Sequence, residues 1–256
     1  MSRNLGFLLH YNYKTTIMMH KIYVTERTLM TKYCFFFFGL LMLVFTACQS
    51  NTKVEDNSDS TGAIDLKSTD SSASRKNILF FGNSLAAGLG VDPSEAFPAL
   101  IQKKIDSLRL PYKVINAGLS GETTAAGKSR IDWLLKQKVD VFVLELGAND
   151  GLRGIPVKET EQNLQAITDK VKAKYPSAKY VLLGMEVPPN MGGQYASEFR
   201  LIFRNLATKN NLAFVPFLLE GVGGVRELNQ GDGIHPTAEG HKILAENVWK
   251  VLEGEL

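Results

Sequence analysis

From residue 77 to the C-terminus, short apolar runs alternate with longer amphipathic stretches, and this alternation constrains the fold more than any other feature. Residues 78–82, 113–117, 139–146, 180–185 and 212–216 are rich in β-branched, aromatic or leucine side chains. Such runs read as buried parallel strands, because a strand that is apolar on both faces must be covered on both. The stretches between and after them, 97–108, 124–136, 157–174, 198–210 and 237–252, read as helices. In the third, Leu164, Ile167, Val171 and Tyr175 recur at helical spacing and Pro176 enforces the stop. Alternating strand and helix predicts one α/β domain, residues 77–256, with a parallel sheet and helices on both faces.

Open sheets of this kind carry their sites at the carboxyl ends of the strands. Four polar, glycine-containing turns fall there: Gly82-Asn83-Ser84-Leu85, Gly118-Leu119-Ser120-Gly121-Glu122, Gly147-Ala148-Asn149-Asp150-Gly151 and, before the last helix, Asp232-Gly233-Ile234-His235-Pro236. A serine hydrolase needs an imidazole to take the hydroxyl proton and a carboxylate to hold that imidazole. Asp232 and His235, three residues apart in one turn, can supply both. Taken alone, they fit equally a helix cap and a surface histidine. Ser84 directly after the first strand suits a nucleophile, and it also suits an ordinary turn. Gly118 and Asn149 are candidate oxyanion donors, one through a closely approaching backbone N–H and one through its side-chain amide. Asn149-Asp150-Gly151 is equally a plain tight turn. His241, inside the last helix beside Lys242, is expected to be solvated. The glycines around Ser84 do not fit a phosphate-binding loop, since no lysine follows at the required spacing.

The four turns occur together and in order, and in that combination the chain resembles the SGNH (GDSL-type) hydrolases. The stretches 145–154 and 232–236 resemble in particular a secreted branch of acyl-CoA thioesterases, arylesterases and lysophospholipases. The resemblance implies a flavodoxin-like three-layer αβα sandwich with about five parallel strands. It implies Ser84 as nucleophile, His235 as base and Asp232 as its orienting acid. The oxyanion hole it implies is the Ser84 and Gly118 backbone N–H groups with the Asn149 side chain. It also implies ester or thioester hydrolysis with no metal and no cofactor, and a small-molecule acyl ester or thioester as substrate. A carbohydrate O-acetylesterase and a non-catalytic lipid- or cell-wall-binding protein are the alternative readings. Asn83 stands where the family usually has aspartate, so a charge beside the nucleophile is lost. Residues 187–193 are the expected specificity loop, joining apolar contact to glycine mobility.

The N-terminal part has a different character. From Met30 the sequence reads as a lysine, an apolar run to Ala47 and then Cys48, and F-T-A-C resembles a bacterial lipobox. Residues 1–47 are therefore expected to be a leader, with the signal peptide starting at about Met30. Cys48 is the expected lipidation site, and 48–76, rich in Ser, Asp, Thr and Lys, an expected disordered tether. The expected location is therefore the bacterial cell envelope, with the protein lipid-anchored to a membrane facing the periplasm or the cell surface. Both cysteines of the chain, Cys34 and Cys48, lie here, which excludes a disulfide scaffold or a cysteine-based zinc site in the α/β domain. Of 29 basic and 26 acidic residues, five and one lie in residues 1–47, which leaves 24 and 25. The remainder has a net charge of −1 and implies no nucleic-acid partner. Cys48→Ser is expected to prevent lipid attachment. Detergent phase partition with mass analysis of the N-terminal peptide checks this, and an unmodified Cys48 in the mature membrane-bound protein would contradict it.

Overall fold

The computed structural model describes residues 75–256. The expected leader, Cys48 and nearly all of the tether lie outside the described residues. Five parallel strands form one sheet: β1 (Lys76–Gly82), β2 (Tyr112–Gly118), β3 (Val141–Glu145), β4 (Lys179–Leu183) and β5 (Ala213–Val215). Their order is β2-β1-β3-β4-β5, the flavodoxin-like doubly wound arrangement. The first strand begins at Lys76, slightly earlier than the apolar pattern shows, because Lys76 donates its N–H to Pro111 O at 2.8 Å.

Ile78, Leu79, Phe80 and Phe81 of β1 are all fully buried, as the two-sided apolar run requires. Alternation sends successive rings to opposite faces. Phe80 meets Phe97 edge-on, at 5.7 Å between centroids, under α2 (Phe97–Ser107). Phe81 lies under Arg130 of α3 (Thr124–Leu134), 4.7 Å from ring centroid to guanidinium carbon. The short α1 (Ser84–Ala87) and α4 (Ala148–Leu152) follow β1 and β3 directly. The long helices α5 (Val157–Lys174), α6 (Gly193–Asn210) and α7 (Ala238–Leu252) complete the layers. The sixth helix starts at Gly193, earlier than the apolar period shows, and its first turn includes Tyr195, which stacks on Phe199.

Register fixes what comes together at the strand ends. Gly82 pairs with Gly118 on one side and with Glu145 on the other. The turns after β1, β2 and β3 therefore leave the sheet level with one another. They leave at the β1/β3 junction, where the strand order reverses and a crevice opens.

His241 is not solvated as expected from its charged neighbour; it is 1 % exposed. Ala96 precedes α2 and offers no side-chain cap, so the first N–H of that helix needs another acceptor. The His241 Nδ1 on α7 accepts the Phe97 N–H at 3.3 Å, with its ring stacked on the Phe97 ring. Burial, aided by the nearby His235, pushes the His241 pKa down from 6.5 to about 4. The unfolded chain then binds a proton that the folded chain refuses between those two values. Stability supplied here is whole above pH 6.5 and is lost as pH falls toward 4, by on the order of 3 kcal/mol at most. His241→Gln keeps an acceptor but cannot titrate. Its urea midpoint is expected to fall less than that of the wild type between pH 7 and pH 4.5, and equal slopes would contradict this assignment.

Candidate active site

Ser84 is the first residue of α1, and its Oγ lies 3.0 Å from His235 Nε2. His235 Nδ1 lies 2.6 Å from Asp232 Oδ2. Asp232 Oδ1 accepts the N–H of Ile234 and of His235, both at 3.0 Å, so one carboxylate shapes the turn and holds the ring. The bond to the His235 side chain, with those two N–H donors, lowers the Asp232 pKa to about 2. The carboxylate is thus ionised across the neutral range and fixes the proton of His235 on Nδ1, which leaves Nε2 free to accept from Ser84. Asp232, His235 and Ser84 form one hydrogen-bonded chain.

The turn that carries Asp232 and His235 is not the first turn of α7. That helix begins at Ala238, and Thr237 caps it by accepting the Gly240 N–H at 3.3 Å. The turn is instead closed by an antiparallel bridge between Asn229 and Pro236. Gln230 ties the turn down: its N–H donates to His235 O at 2.7 Å, and its Nε2 donates to Leu89 O and Pro236 O. Gln230 therefore links the histidine turn to the segment after the serine. No motif marks it in the sequence.

Asn149 on α4 donates one amide hydrogen to Glu122 O at 3.0 Å and has a second to offer. Its neighbour Asp150 is buried and accepts the Thr124 N–H at 2.9 Å and the Thr124 hydroxyl at 2.5 Å. Burial raises the Asp150 pKa, against those bonds. Asn149-Asp150-Gly151 is therefore the body of a short helix pinned to α3, not a tight turn.

Gly118 does not have the free N–H expected of an oxyanion donor. That N–H is already donated to Asn116 Oδ1 at 3.0 Å. A Cβ there would collide with the backbone N of Ala87, so Gly118 is small in order to pack against α1. Gly121, three residues on, has a φ of +80° and an N–H without a partner among the described residues. It adjoins Glu122, whose carbonyl holds Asn149. The Ser84 N–H is likewise without a partner among the described residues. Spacing could not separate two glycines in one turn; the hydrogen bond already made by the Gly118 N–H does. Ser84 N–H, Gly121 N–H and the Asn149 amide are thus uncommitted donors in these turns, beside a serine hydroxyl hydrogen-bonded to an imidazole.

Residues 80–243 match the GDSL-like Lipase/Acylhydrolase family. The chain belongs to that family. It is 40% identical over 194 residues to esterase TesA of Pseudomonas aeruginosa, a match that covers 75% of this chain and 96% of the relative. It is 37% identical over 182 residues to thioesterase 1/protease 1/lysophospholipase L1 of Escherichia coli K12, covering 71% and 85%. Among solved structures, a crystal structure of TesA superposes with a TM-score of 0.68 at 42% identity, covering 71% of this chain and all of the other. The chain is accordingly a carboxylic-ester hydrolase with the sandwich fold of its family.

Within this hydrolase, Asn83 does more than replace a charge. It is fully buried, and its Oδ1 accepts the Leu85 N–H at 3.0 Å, capping α1. Glu122 is held by a two-pronged ion pair with Arg130, at 2.7 and 2.5 Å, which fixes the carbonyl that orients Asn149. Because Asn149 would meet the oxyanion chiefly in the transition state, Asn149→Ala is expected to cost roughly 10²–10³ in kcat with little change in KM. Steady-state kinetics on a p-nitrophenyl ester checks this. A large rise in KM with kcat intact would make Asn149 a ground-state binding residue.

Proposed function

We propose that this family member hydrolyses acyl esters and thioesters through an acyl-enzyme on Ser84. The observation that carries the reading is the hydrogen-bonded chain from Asp232 through His235 to Ser84. Ser84 Oγ attacks the acyl carbonyl while His235 Nε2 takes its proton. The carbonyl oxygen becomes an oxyanion and receives the N–H groups of Ser84 and Gly121 and the amide of Asn149. His235, now cationic beside the Asp232 carboxylate, gives its proton to the departing alcohol or thiol. Water then enters, loses a proton to His235 and attacks the acyl carbon, and the acid leaves as Ser84 recovers its hydrogen.

The surroundings favour an acyl group with some length. Leu89, Leu119, Leu152 and Ile234 are large apolar residues left 40–51 % exposed, and each lies on a segment that carries or adjoins a residue of the site. Residues 187–193 fit the same role. Val187 fills the space beside Gly151, and Met191 lies close to Gly154, so this loop borders the segment that follows Asn149. The names of the relatives, esterase and thioesterase 1/protease 1/lysophospholipase L1, favour the same substrate class. The proposal includes a lipid on Cys48 that would hold the enzyme at a membrane of the cell envelope, supported by the apolar run and the T-A-C sequence before the domain.

Purified protein lacking residues 1–48 is expected to turn over p-nitrophenyl esters, octanoyl in preference to acetyl. A strict preference for acetyl would move the reading to a carbohydrate O-acetylesterase. Ser84→Ala is expected to lower turnover by about 10⁶ if it behaves like other serines of this kind. Retained turnover would make Ser84 a turn residue only.

A further inference from the structure

Glu145, the last residue of β3, is a carboxylic acid that the reaction above does not use, and it is fully buried directly behind the nucleophile. Its Oε2 accepts the N–H of Asn83 at 3.0 Å and of Ala86 at 3.2 Å. Those two donors bracket Ser84 in sequence. The approach is close enough that a Cβ on Gly82 would collide with the same oxygen, so Gly82 is glycine in order to admit the carboxyl. The other oxygen, Oε1, is buried with no hydrogen-bond partner among the described residues, and so is Asn83 Nδ2.

We propose that Glu145 is a positioning residue for the nucleophile turn that serves in its protonated, neutral form, and that its ionisation switches the site off. This rests on the reading of Ser84 as nucleophile. The two N–H groups require an acceptor oxygen at Oε2, which either form of the acid supplies; full burial with no paired cation is what favours the neutral form. An ionised carboxylate would add a full negative charge in a fully buried place, bonded to the N–H of the residue next to Ser84. It would oppose the very charge that the transition state develops.

Among the described residues, no cation forms an ion pair with Glu145. The titratable groups on the elements meeting at this end of the sheet are Glu122 after β2, Arg130 on α3, Asp150 on α4, Arg153 after it, and Asp232 and His235 before α7. Arg130 is already committed to Glu122, and Arg153 donates to Gly121 O. The charge of Glu122 pushes against ionisation of Glu145. Burial is the largest influence and raises the Glu145 pKa to about 8, against the pull of the Asn83 and Ala86 N–H groups and of the nearby Asn83 side chain. The neutral form thus prevails at neutral pH, and the switch falls at the alkaline edge of the working range.

The test compares Glu145→Gln with Glu145→Ala across pH. Glutamine keeps the acceptor oxygen and cannot titrate; alanine removes the acceptor. In the wild type, kcat is expected to be steady near pH 7 and to fall about tenfold by one pH unit above the transition, while KM changes little. Glu145→Ala is expected to lower kcat about 10²-fold near pH 7, as misplaced nucleophiles do. Glu145→Gln is expected to recover most of that loss and to show no alkaline fall. A wild type without the fall, a glutamine variant that keeps it, or a folded glutamine variant no better than alanine would each overturn the proposal. Should the alanine variant not fold, infrared spectra decide. The wild type is expected to show the carbonyl band of a protonated carboxyl near pH 7, absent from Glu145→Gln and lost at alkaline pH; no such band would overturn the proposal. Ser84→Ala run in parallel separates the two claims. Its retained turnover would refute the site itself, whereas with its turnover lost the pH profiles of the Glu145 variants alone decide the role of Glu145.

Discussion

A hydroxyl and an imidazole 151 residues apart in sequence meet at 3.0 Å, and that one hydrogen bond sets demands on the whole domain. Ser84 must leave β1 at the level where β2 and β3 also end, and the Gly82 register with Gly118 and Glu145 arranges this. His235 must reach back from beyond β5, the far edge of the sheet. Its turn is therefore closed on itself by the Asn229–Pro236 bridge and tied to Leu89 through Gln230. Neither anchor involves the catalytic side chains, and each replaces freedom in a loop with bonds to backbone.

Electrostatics divides the site into two zones. On the solvent side, Asp232 is 47 % exposed at its side chain and ionised, with its charge spread over an imidazole and two N–H groups. On the sheet side the groups are buried: Glu145 and His241 resist charging, and Glu122 is held by Arg130. A charge that moves during acyl transfer therefore develops between a fixed anion and a neutral floor. Such preorganisation needs no rearrangement at the moment of reaction.

Much of this was legible in the sequence. The two-sided apolar run of β1 announced a central parallel strand, and the helix at Val157–Lys174 was bounded by its own spacing and by Pro176. Ser84 stood out as a polar residue in the turn after an apolar strand, whereas Asp232 and His235, in a turn before the last helix, took on their roles only through the family resemblance. The misses share a cause. Glu145 ends an apolar strand, His241 sits beside Lys242 on a helix, and Gly118 shares its turn with Gly121. In each case the local pattern was correct and the role depended on a partner far along the chain: Asn83 and Ala86 for the first, Phe97 for the second, the packing of Ala87 for the third. Burial and hydrogen-bond saturation are tertiary quantities, and periodicity does not encode them.

Covalent capture tests the central claim most directly. The chain is treated with an organophosphonate ester, which forms a stable adduct with a serine activated by an imidazole, and is then subjected to intact mass measurement and peptide mapping. The expected result is one adduct per chain, on Ser84, with ester turnover lost in step with labelling and no adduct in His235→Ala. Labelling at another residue, or full turnover in protein whose Ser84 is modified, would contradict the account.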